Sequence, residues 1–315
     1  MRIFRHYTEF PKTVRGGVVA LGNFDGVHLG HQTVIGTAQA VAREKRVACG
    51  VMTFEPHPRS LFKPDQPCFR LTPFRIKSRL IETLGVDFLL MQHFDRTFAA
   101  HTARQFVDEV LVAGLGVSHV VVGYDYLFGH DRQGTVDSLR EMAREHGFGV
   151  TCLGAVSSED GSVYSSTRIR EALRAGNAAE AGRVLGRPWE IEGRVEHGDQ
   201  RGRLLGFPTA NVALADYLQP AFGVYAVRAG IDMGDKTEWL PGVANFGLRP
   251  TFDKKTPLLE VHLFDWTGDL YGKHLRVALI DYIRAERKFD GLPALQRQIE
   301  DDSQAARRIL AAGRA

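Results

Sequence analysis

Cysteine and long apolar runs are both scarce in this chain of 315 residues. Its three cysteines, Cys49, Cys68 and Cys152, are odd in number and far apart, which fits neither a disulfide framework nor a CxxC metal site. The opening residues MRIFRHYTEF lack the apolar core of a signal peptide, and no apolar run approaches membrane-spanning length. We therefore expect a protein of the reducing cytoplasm that does not bind a membrane.

A strong excess of one charge is also missing. Forty Lys and Arg side chains stand against 37 Asp and Glu, for a net charge of +3, and no run of five basic residues occurs. Nucleic-acid surfaces neutralise several phosphates with clustered basic side chains, so we expect no nucleic-acid partner. Small anionic ligands remain compatible with the sequence, because local fields matter more than the total charge.

The phosphate loop of the common NTPases, GxxxxGK[ST], does not occur in the sequence. A different candidate phosphate site is the stretch GNFDGVHLGH, which runs from Gly22 to His31. It follows Val18–Leu21, an apolar run typical of a buried strand, and from about His28 the residues suit a helix. Gly26 keeps the turn open to close backbone approach. Free N–H groups and a charge equivalent to about +0.5 at such a helix start would attract a phosphate.

His28 and His31 lie three residues apart, so at a helix start they share one face and can reach the same anionic group. A helix cap and a solvated side chain would explain either histidine taken alone. A metal pair lacks the Cys, Asp or Glu at the spacing that would complete a tetrahedral set. An HxGH motif directly after a strand resembles the nucleotidylyltransferases and class I synthetases, in which the histidine pair meets ATP phosphates.

The first half of the chain alternates predicted strands with predicted helices. The strands are Val18–Leu21, Val47–Phe54, Val86–Met91, His119–Val122 and Phe148–Leu153, and helices start at about His28, Thr72, Thr102 and Thr135. Thr72-Pro73 is typical of an N-cap followed by proline in the first turn. This alternation predicts a parallel sheet with helices on both faces, with ligands at the carboxyl ends of its strands.

Two further stretches carry candidate ligand-binding groups. GYDYLFG follows the strand that ends at Val122, and its Asp125 is explained equally well as a hydrogen-bond acceptor or as a solvated turn residue. SSTRIREAL combines the adjacent hydroxyls of a helix cap with two arginines. A plain cap explains the hydroxyls and not the arginines. A phosphate-binding cap would use Ser166, Thr167 and an arginine such as Arg170 together.

The helical spacing stops after Gly186. Short alternating segments separated by Gly and Pro follow, namely Ile191–Val195, Gly223–Arg228, Leu258–Phe264 and Leu275–Ile283. They predict an antiparallel barrel or sandwich, and the helical spacing of Leu292–Ala312 predicts a terminal helix. We therefore predict two domains, residues 1–186 and 187–315.

The second predicted domain contains two stretches with candidate metal-binding or catalytic side chains. In GDQRGRLLGFPTAN, which ends at Asn211, a flexible polar loop explains the glycines, whereas Thr209 and Asn211 would project to one side of an extended chain. Paired oxygens on one face suit a hard cation such as Mg²⁺ bridging phosphates. In LLEVHLF, alternation places Glu260 opposite the apolar side chains of its strand. A single carboxylate in a strand is usually solvated or paired, so Glu260 alone predicts nothing further.

Taken together, these motifs resemble the bacterial bifunctional riboflavin kinase/FAD synthetase (FMN adenylyltransferase) family. GNFDGVHLGH, GYDYLFG and SSTRIREAL are similar to its adenylyltransferase half, and RGRLLGFPTANV, GVYAV, GVANFGLRPTF, LEVHLFD with GDLYGK, and IRAERKF with LPALQRQI to its kinase half. The resemblance implies an α/β chain with an N-terminal doubly wound parallel-sheet nucleotidylyltransferase domain and a C-terminal antiparallel β-barrel with a terminal helix. It also implies a transferase that acts on flavins in two reactions, each of which uses Mg²⁺. The first converts riboflavin and ATP to FMN and ADP, and the second converts FMN and ATP to FAD and pyrophosphate.

The resemblance also assigns roles to individual residues. Glu260 would be the kinase base, and Thr209 and Asn211 would hold Mg²⁺ and ATP phosphates. Asp125, Arg284 and Phe289 would bind the flavin. The residues assigned to ATP and its phosphates are Gly22, Asn23, Phe24, Asp25, Gly26, His28, His31, Ser166, Thr167, Arg170, Arg203 and Gly206.

The two reactions need different groups. A ribityl hydroxyl is essentially never ionised at neutral pH, so a positioned carboxylate that takes its proton is worth about 10²–10⁴-fold. The FMN phosphate has a second pKa of about 6 and arrives largely deprotonated. We therefore expect no general base in the first domain, where two anions must only be held together and their charge balanced.

Two other functions stay open on the residues. A tRNA synthetase-like ligase shares HxGH, but no KMSKS-like loop is visible, and turnover stimulated by RNA would favour it. A flavin- or nucleotide-binding regulator could retain the fold without the chemistry, and the presence of Glu260, Thr209, Asn211 and the histidine pair argues against it. The expected partners are riboflavin, FMN, FAD and ATP, and association into a homo-oligomer is left open.

Overall fold

The structure is a computed structural model that describes residues 1–197, 206–214, 216–233, 236–250 and 255–313. Its contacts divide the chain into two compact units. The first unit contains Met1–Pro67 and Thr72–Ser165, and the second contains Cys68–Leu71 and Ser166–Ala315.

A six-stranded sheet, in which every pair of neighbouring strands is parallel, forms the centre of the first unit, in the order β1-β4-β3-β2-β5-β6. The strands are β1 (Arg2–Phe4), β2 (Val18–Leu21), β3 (Cys49–Glu55), β4 (Phe88–His93), β5 (His119–Gly123) and β6 (Gly149–Leu153). The chain adds strands on one side of β2 and then crosses to the other side with β5, so the sheet changes direction between β2 and β5. The predicted doubly wound parallel sheet is confirmed.

Helices cover both faces of this sheet. They are α1 (Leu29–Lys45), α2 (Pro58–Phe62), α3 (Phe74–Thr83), α4 (Arg96–Ala99), α5 (Ala103–Gln105), which continues as a π-helix over Phe106–Leu115, and α6 (Val136–His146), with short 3₁₀ turns at Tyr7–Glu9, Lys12–Val14 and His130–Arg132. Successive residues of β2 point to opposite faces. Val18 packs with Ile35 of α1 and Ile81 of α3, whereas Val19 packs in the other cluster with Leu111 of the π-helix and Leu139 of α6.

The second unit contains a closed barrel of six antiparallel strands in the order β10-β11-β8-β7-β12-β9. The strands are β7 (Trp189–Glu196), β8 (Ala210–Ala213), β9 (Gly223–Asp232), β10 (Thr237–Pro250), β11 (Lys255–Leu263) and β12 (His274–Arg284). Helices α7 (Ser166–Arg174) and α8 (Ala178–Leu185) precede the barrel, and α9 (Leu292–Ala312) follows it. The predicted antiparallel barrel with a terminal helix is confirmed.

Residues that precede Gly186 pack within the second unit. Ile169 and Leu173 of α7 are buried, and the Leu173 carbonyl accepts a hydrogen bond from the Ala221 N–H at 2.9 Å. The indole Nε1–H of Trp189 donates to the Leu71 carbonyl at 2.8 Å. A domain boundary at Gly186 stays a prediction, and these contacts supply a reason to test it.

Candidate active sites

The chain leaves β2 at the point where the sheet changes direction, which is where parallel sheets bind ligands. A loop follows, and α1 begins at Leu29 with His28 as its N-cap residue. Because β2 and β5 pair in parallel, their carboxyl ends lie side by side. The predicted strand–loop–helix junction over GNFDGVHLGH is therefore present in the structure.

The loop after β2 has an unusual backbone. Phe24 and Val27 have φ values of 46° and 45°, in the left-handed region that side chains other than glycine rarely adopt. Such strain persists only where the surroundings hold it, and both side chains are buried to 1% exposure in the core between the sheet and α1. The apolar side chains of this loop thus fix the path of its backbone.

Asp25 organises the same loop from inside. Its carboxylate is 3% exposed and accepts hydrogen bonds from the Thr72 N–H at 3.0 Å and the Thr72 hydroxyl at 3.3 Å. The Thr72 hydroxyl in turn accepts from the Gly26 N–H at 2.8 Å. Thr72 was predicted to cap α3, but Pro73 occupies the N-cap position and the threonine bonds to the loop instead.

A buried lysine that the sequence reading missed holds the start of the loop. Lys77 is 2% exposed, and its ammonium donates to the Asn23 carbonyl at 3.0 Å. The Thr53 hydroxyl donates to the same carbonyl at 2.9 Å. The signal was present in the pattern of α3, because a lysine between two apolar positions, Ile76 and Ile81, lies on the buried face.

His28 and His31 form a stacked pair with ring centroids 3.5 Å apart. The His28 Nδ1 accepts a long hydrogen bond of 3.3 Å from the His31 N–H. His28 therefore caps helix α1 through Nδ1, and contact with an anion would fall to its other ring nitrogen. An imidazole that accepts at Nδ1 carries its proton at Nε2, which can donate to an anion. The Phe24 ring contacts His31 edge to face at 5.2 Å and limits its movement.

Asp125 lies in the turn that follows β5, beside the end of β2. Its side chain is exposed, and Oδ1 lies 3.2 Å from the point that a Cβ on Gly123 would occupy. The structure therefore brings Asp125 to the same sheet edge as the loop after β2.

Ser166, Thr167 and Arg170 stand at the start of α7, in the second unit. The Arg170 Nε donates to the Phe69 carbonyl at 2.9 Å, and its guanidinium lies 5.4 Å from the Phe69 ring centroid. Arg168 pairs with Glu180 of α8 at 2.8 Å. The roles assigned to Ser166, Thr167 and Arg170 by resemblance stay predictions.

The candidate kinase residues of the barrel lie on neighbouring strands in register. Glu260 of β11 is opposite Asn211 of β8 on one side and Asn245 of β10 on the other. Glu260 is exposed, whereas Asn211 is buried to 5% exposure. The alternate positions of β11, Leu259 and Val261, are fully buried, so alternation was predicted correctly.

His262 anchors the segment that precedes β8. Its Nδ1 lies 2.9 Å from the Pro208 carbonyl, and its ring contacts Phe207 edge to face at 5.5 Å. This contact places Thr209 beside β11, two residues before Asn211. Gly206 is exposed and has a φ of 84°, a conformation that favours glycine. Arg203 lies outside the described residues.

Thr209 and Asn211 line a pocket of about 510 Å³ at one end of the barrel. Its other lining residues are Val195, Pro208, Ala210, Val261, Leu263, Trp266, Thr267, Gly268, Asp269, Leu270 and Tyr271. Within the described ranges, no group of three or more His, Cys, Asp or Glu could hold a metal ion. A hydroxyl and an amide oxygen are hard but neutral donors, so they fit an Mg²⁺ ion that arrives with phosphate oxygens as its main ligands.

Arg284 joins the end of β12 to the terminal helix. Its Nε and Nη2 bond to the Asp302 carboxylate at 2.8 and 2.6 Å, and its Nη1 bonds to the Ala285 carbonyl at 2.9 Å. The guanidinium lies 5.7 Å from the ring centroid of Phe289, and Gln298 donates to Asp302. The guanidinium that was assigned to the flavin thus bonds to the protein itself.

Comparisons with known proteins match both halves of the chain. A family model described as FAD synthetase matches residues 10–168, and one described as riboflavin kinase matches residues 185–310. The bifunctional riboflavin kinase/FMN adenylyltransferase of Escherichia coli K12 is 44% identical over 93% of this chain and 92% of its own length. The enzyme of the same name from Bacillus subtilis is 42% identical over 92% and 91%.

A solved structure that is similar over nearly the whole chain was found among the matches. It is described as a macrolide-efflux protein from Streptococcus pneumoniae, is 34% identical, and has a TM-score of 0.85 over 97% of this chain and 98% of its own. None of the helices in the described part of this chain is long and apolar enough to cross a membrane.

Proposed function

The chain belongs to the bifunctional riboflavin kinase/FMN adenylyltransferase family, and from that premise we propose that it makes FMN in its barrel and FAD at the edge of its parallel sheet. The observation that carries the kinase assignment is the register of the exposed Glu260 with the buried Asn211, which lines the same pocket as Thr209. ATP is the second substrate of both reactions.

In the kinase reaction, Glu260 acts as the general base. Its carboxylate takes the proton of the ribityl hydroxyl while that oxygen attacks the γ-phosphorus of ATP, and the bond from that phosphorus to ADP breaks. The exposure of Glu260 supports this role, because the carboxylate can meet a substrate. Thr209 and Asn211 hold Mg²⁺, which when bound neutralises charge on the phosphates.

In the adenylyl transfer, an FMN phosphate oxygen attacks the α-phosphorus of ATP and pyrophosphate leaves. No base is required, since this phosphate is largely deprotonated at neutral pH. The protonated Nε2 of His28 and the ring of His31 donate to the phosphates, with the N-terminus of α1 behind them. Asp25, an anion that bonds to Thr72, acts by shaping the loop through which Gly22, Asn23, Phe24 and Gly26 approach the nucleotide.

The remaining assignments follow the motifs. Asp125 and Phe289 bind flavin, and Arg284 contributes by fixing α9 and the Phe289 ring. Arg203, Gly206, Ser166, Thr167 and Arg170 contribute to ATP binding. We propose a cytoplasmic enzyme that uses no nucleic acid, and divide it at Gly186 into an adenylyltransferase domain, residues 1–186, and a kinase domain, residues 187–315.

One assay tests both activities. The protein is incubated with riboflavin or with FMN, together with ATP and Mg²⁺, and the flavins are separated by chromatography. Wild type should form FMN and FAD from riboflavin, and FAD from FMN. Glu260→Gln should abolish FMN formation and retain FAD formation from supplied FMN, and His28→Ala with His31→Ala should do the reverse. Loss of both activities in either variant would contradict separate sites.

A further inference from the structure

Thr209 stands just outside the ladder that holds the rest of its segment. The pairing of β8 with β11 ends at Ala210 opposite Val261, and the residue before Ala210 is Thr209. Pro208, which comes next in that direction, has no backbone N–H and cannot donate to a further rung of the ladder. Backbone pairing therefore supports Thr209 from one side only.

The side chain of His262 supplies support on the other side. Its Nδ1 lies 2.9 Å from the Pro208 carbonyl oxygen. Because a carbonyl oxygen can only accept, this ring nitrogen carries a proton and donates it to the hydrogen bond. The Phe207 ring meets the imidazole edge to face at 5.5 Å, so two successive residues of the segment contact the same side chain.

The backbone of His262 is itself held in place. The residue lies in β11 opposite Val243 of β10, and both of its neighbours in the strand are buried. Its own side chain is half-buried. Pro208 and Thr209 line the barrel pocket, whereas His262 is not among the described residues that do so. The histidine therefore stands behind the pocket wall and can act on the pocket only through the residues it holds.

We propose that His262 is a positioning residue of the kinase reaction, whose Nδ1–H holds the Pro208 carbonyl so that the Thr209 hydroxyl points at Mg²⁺ and the ATP phosphates. This inference rests on the proposed kinase function. A hydrogen bond of this kind contributes about fivefold to an equilibrium constant. The expected effects are therefore moderate, and they fall on binding.

Removal of the donor tests the role in FMN formation. With riboflavin saturating, His262→Leu should raise the KM for ATP in the presence of Mg²⁺ about fivefold. The value of kcat should change less than about twofold, because a contact that is equally strong in the ground state and the transition state affects KM alone. An unchanged KM, or a fall in kcat alone, would overturn the proposal.

Two amide variants identify which ring nitrogen acts. The amide N–H of His262→Asn lies close to the place of Nδ1, whereas that of His262→Gln lies close to the place of Nε2. His262→Asn should therefore restore the wild-type KM for ATP, and His262→Gln should behave as His262→Leu does. The reverse result would show that Nε2 contacts the nucleotide, and it would overturn the proposal.

A double variant tests whether the histidine acts through the threonine. Thr209→Val removes the hydroxyl and keeps the shape of the side chain. In that background His262→Leu should leave the KM for ATP almost unchanged, because two residues that serve one interaction are not additive. A further rise of about fivefold would show that His262 acts independently of Thr209, which contradicts the proposal.

His274→Leu is the matched control. His274 is a second half-buried histidine of the barrel, its Nε2 lies 3.3 Å from the Glu192 carboxylate, and it is not among the described residues that line the pocket. Its replacement should lower the unfolding temperature and leave the KM for ATP unchanged. FAD formation from FMN should be the same in His262→Leu, His274→Leu and wild type. An equal rise in KM in His274→Leu would show that lost barrel stability is sufficient, and the proposal would fall.

Binding without turnover separates this inference from the kinase function. Trp266 lines the pocket, so its fluorescence reports the binding of ADP with Mg²⁺ there, and Trp266→Phe identifies that signal. Half of the change should require about fivefold more ADP in His262→Leu and no more than wild type in His262→Asn.

The combined results distinguish the two hypotheses. If wild type makes no FMN but its ADP binding depends on His262, the kinase function is rejected and the positioning role is upheld. If wild type makes FMN and His262→Leu binds ADP as wild type does, the positioning role alone is rejected. Neither FMN formation nor binding that depends on His262 would reject both.

Discussion

At the scale of single residues, four buried polar side chains around the loop after β2 explain its shape. Lys77 and Thr53 both donate to the Asn23 carbonyl, and Asp25 receives both donors of Thr72. None of these residues needs to touch a substrate in order to matter. They fix where the backbone N–H groups of the loop point.

Lys77→Met should lower the rate of FAD formation and leave FMN formation unchanged. The substitution keeps the length of the buried chain but removes a charge-assisted hydrogen bond, which is worth about 1.5–3 kcal/mol. Thermal unfolding and the flavin assay measure the two effects. Lys63→Met, at an exposed position of the same unit, is the control. Equal FAD formation by the two variants would show that the lysine does not hold the loop.

Thr72→Val should destabilise the first unit by about 1–3 kcal/mol, since it leaves the buried Asp25 without its hydroxyl donor. Asp25→Asn should cost a similar amount, and the double variant should cost less than the sum, because the two residues share one interaction. Urea unfolding of the four proteins gives the coupling energy. Additive effects of the two substitutions would contradict the contact between the two side chains.

At the scale of elements, α1 begins at a residue with two functions. His28 caps the helix through Nδ1 and, as proposed, meets phosphate through Nε2. Much of this element could be predicted from the sequence, because an apolar run, glycines and a helical pattern follow one another directly. The contacts of Thr72 and Lys77 could not, since they join residues 46 and 54 positions apart.

Substitutions at His28 can separate the cap from the chemistry. His28→Ala should lower stability by about 1 kcal/mol and abolish FAD formation. His28→Asn should recover the stability, because asparagine is a good N-cap residue, and should still form no FAD. Thermal unfolding and the flavin assay distinguish the two variants. If His28→Asn also recovered FAD formation, His28 would act only as the N-cap residue of α1 and not in the reaction.

The ion pair between Arg284 and Asp302 attaches α9 to the barrel, with side-chain exposures of 20% and 6%. Asp302→Leu should cost about 3 kcal/mol, because it leaves the arginine unpaired in a largely buried site. Arg284→Met combined with Asp302→Leu should recover much of the stability that Asp302→Leu loses. The double variant should also recover the FMN formation that is lost with that stability. Recovered stability without FMN formation would show instead that Arg284 contacts the flavin.

The barrel strands differ in how well the sequence predicts them. Parts of β7, β9, β11 and β12 were predicted as strands, whereas β10 was not. Its sequence TEWLPGVANFGLRP contains Pro241-Gly242, which is typical of a turn. The ladders with β9 and β11 hold this stretch extended. Alternation also placed Glu260 on the correct side, but no local signal distinguished His262 as the anchor of Pro208.

At the scale of the whole molecule, the position of the domain boundary has a measurable consequence. Residues 187–315 lack α7 and α8, which pack within the second unit. A fragment from Ser166 to Ala315 should therefore unfold at a higher temperature than residues 187–315, and should form FMN faster at 37 °C. Equal stability and equal activity of the two fragments would support the boundary at Gly186 without any contribution from the helix pair.

Because β8 pairs with β11 in a fixed register, deleting one residue should affect the kinase reaction strongly in some parts of the barrel and little in others. Deleting one amino acid inside either strand would take Glu260 out of register with Asn211, and a deletion inside β11 would also turn Glu260 toward the packed interior and present Leu259 or Val261 in its place. The same deletion in the connection after β11 would leave that alignment whole. One-residue deletions should therefore be tolerated in the connection after β11 and should abolish FMN formation inside β8 or β11. This difference should hold even where the connection and the strands have a similar composition.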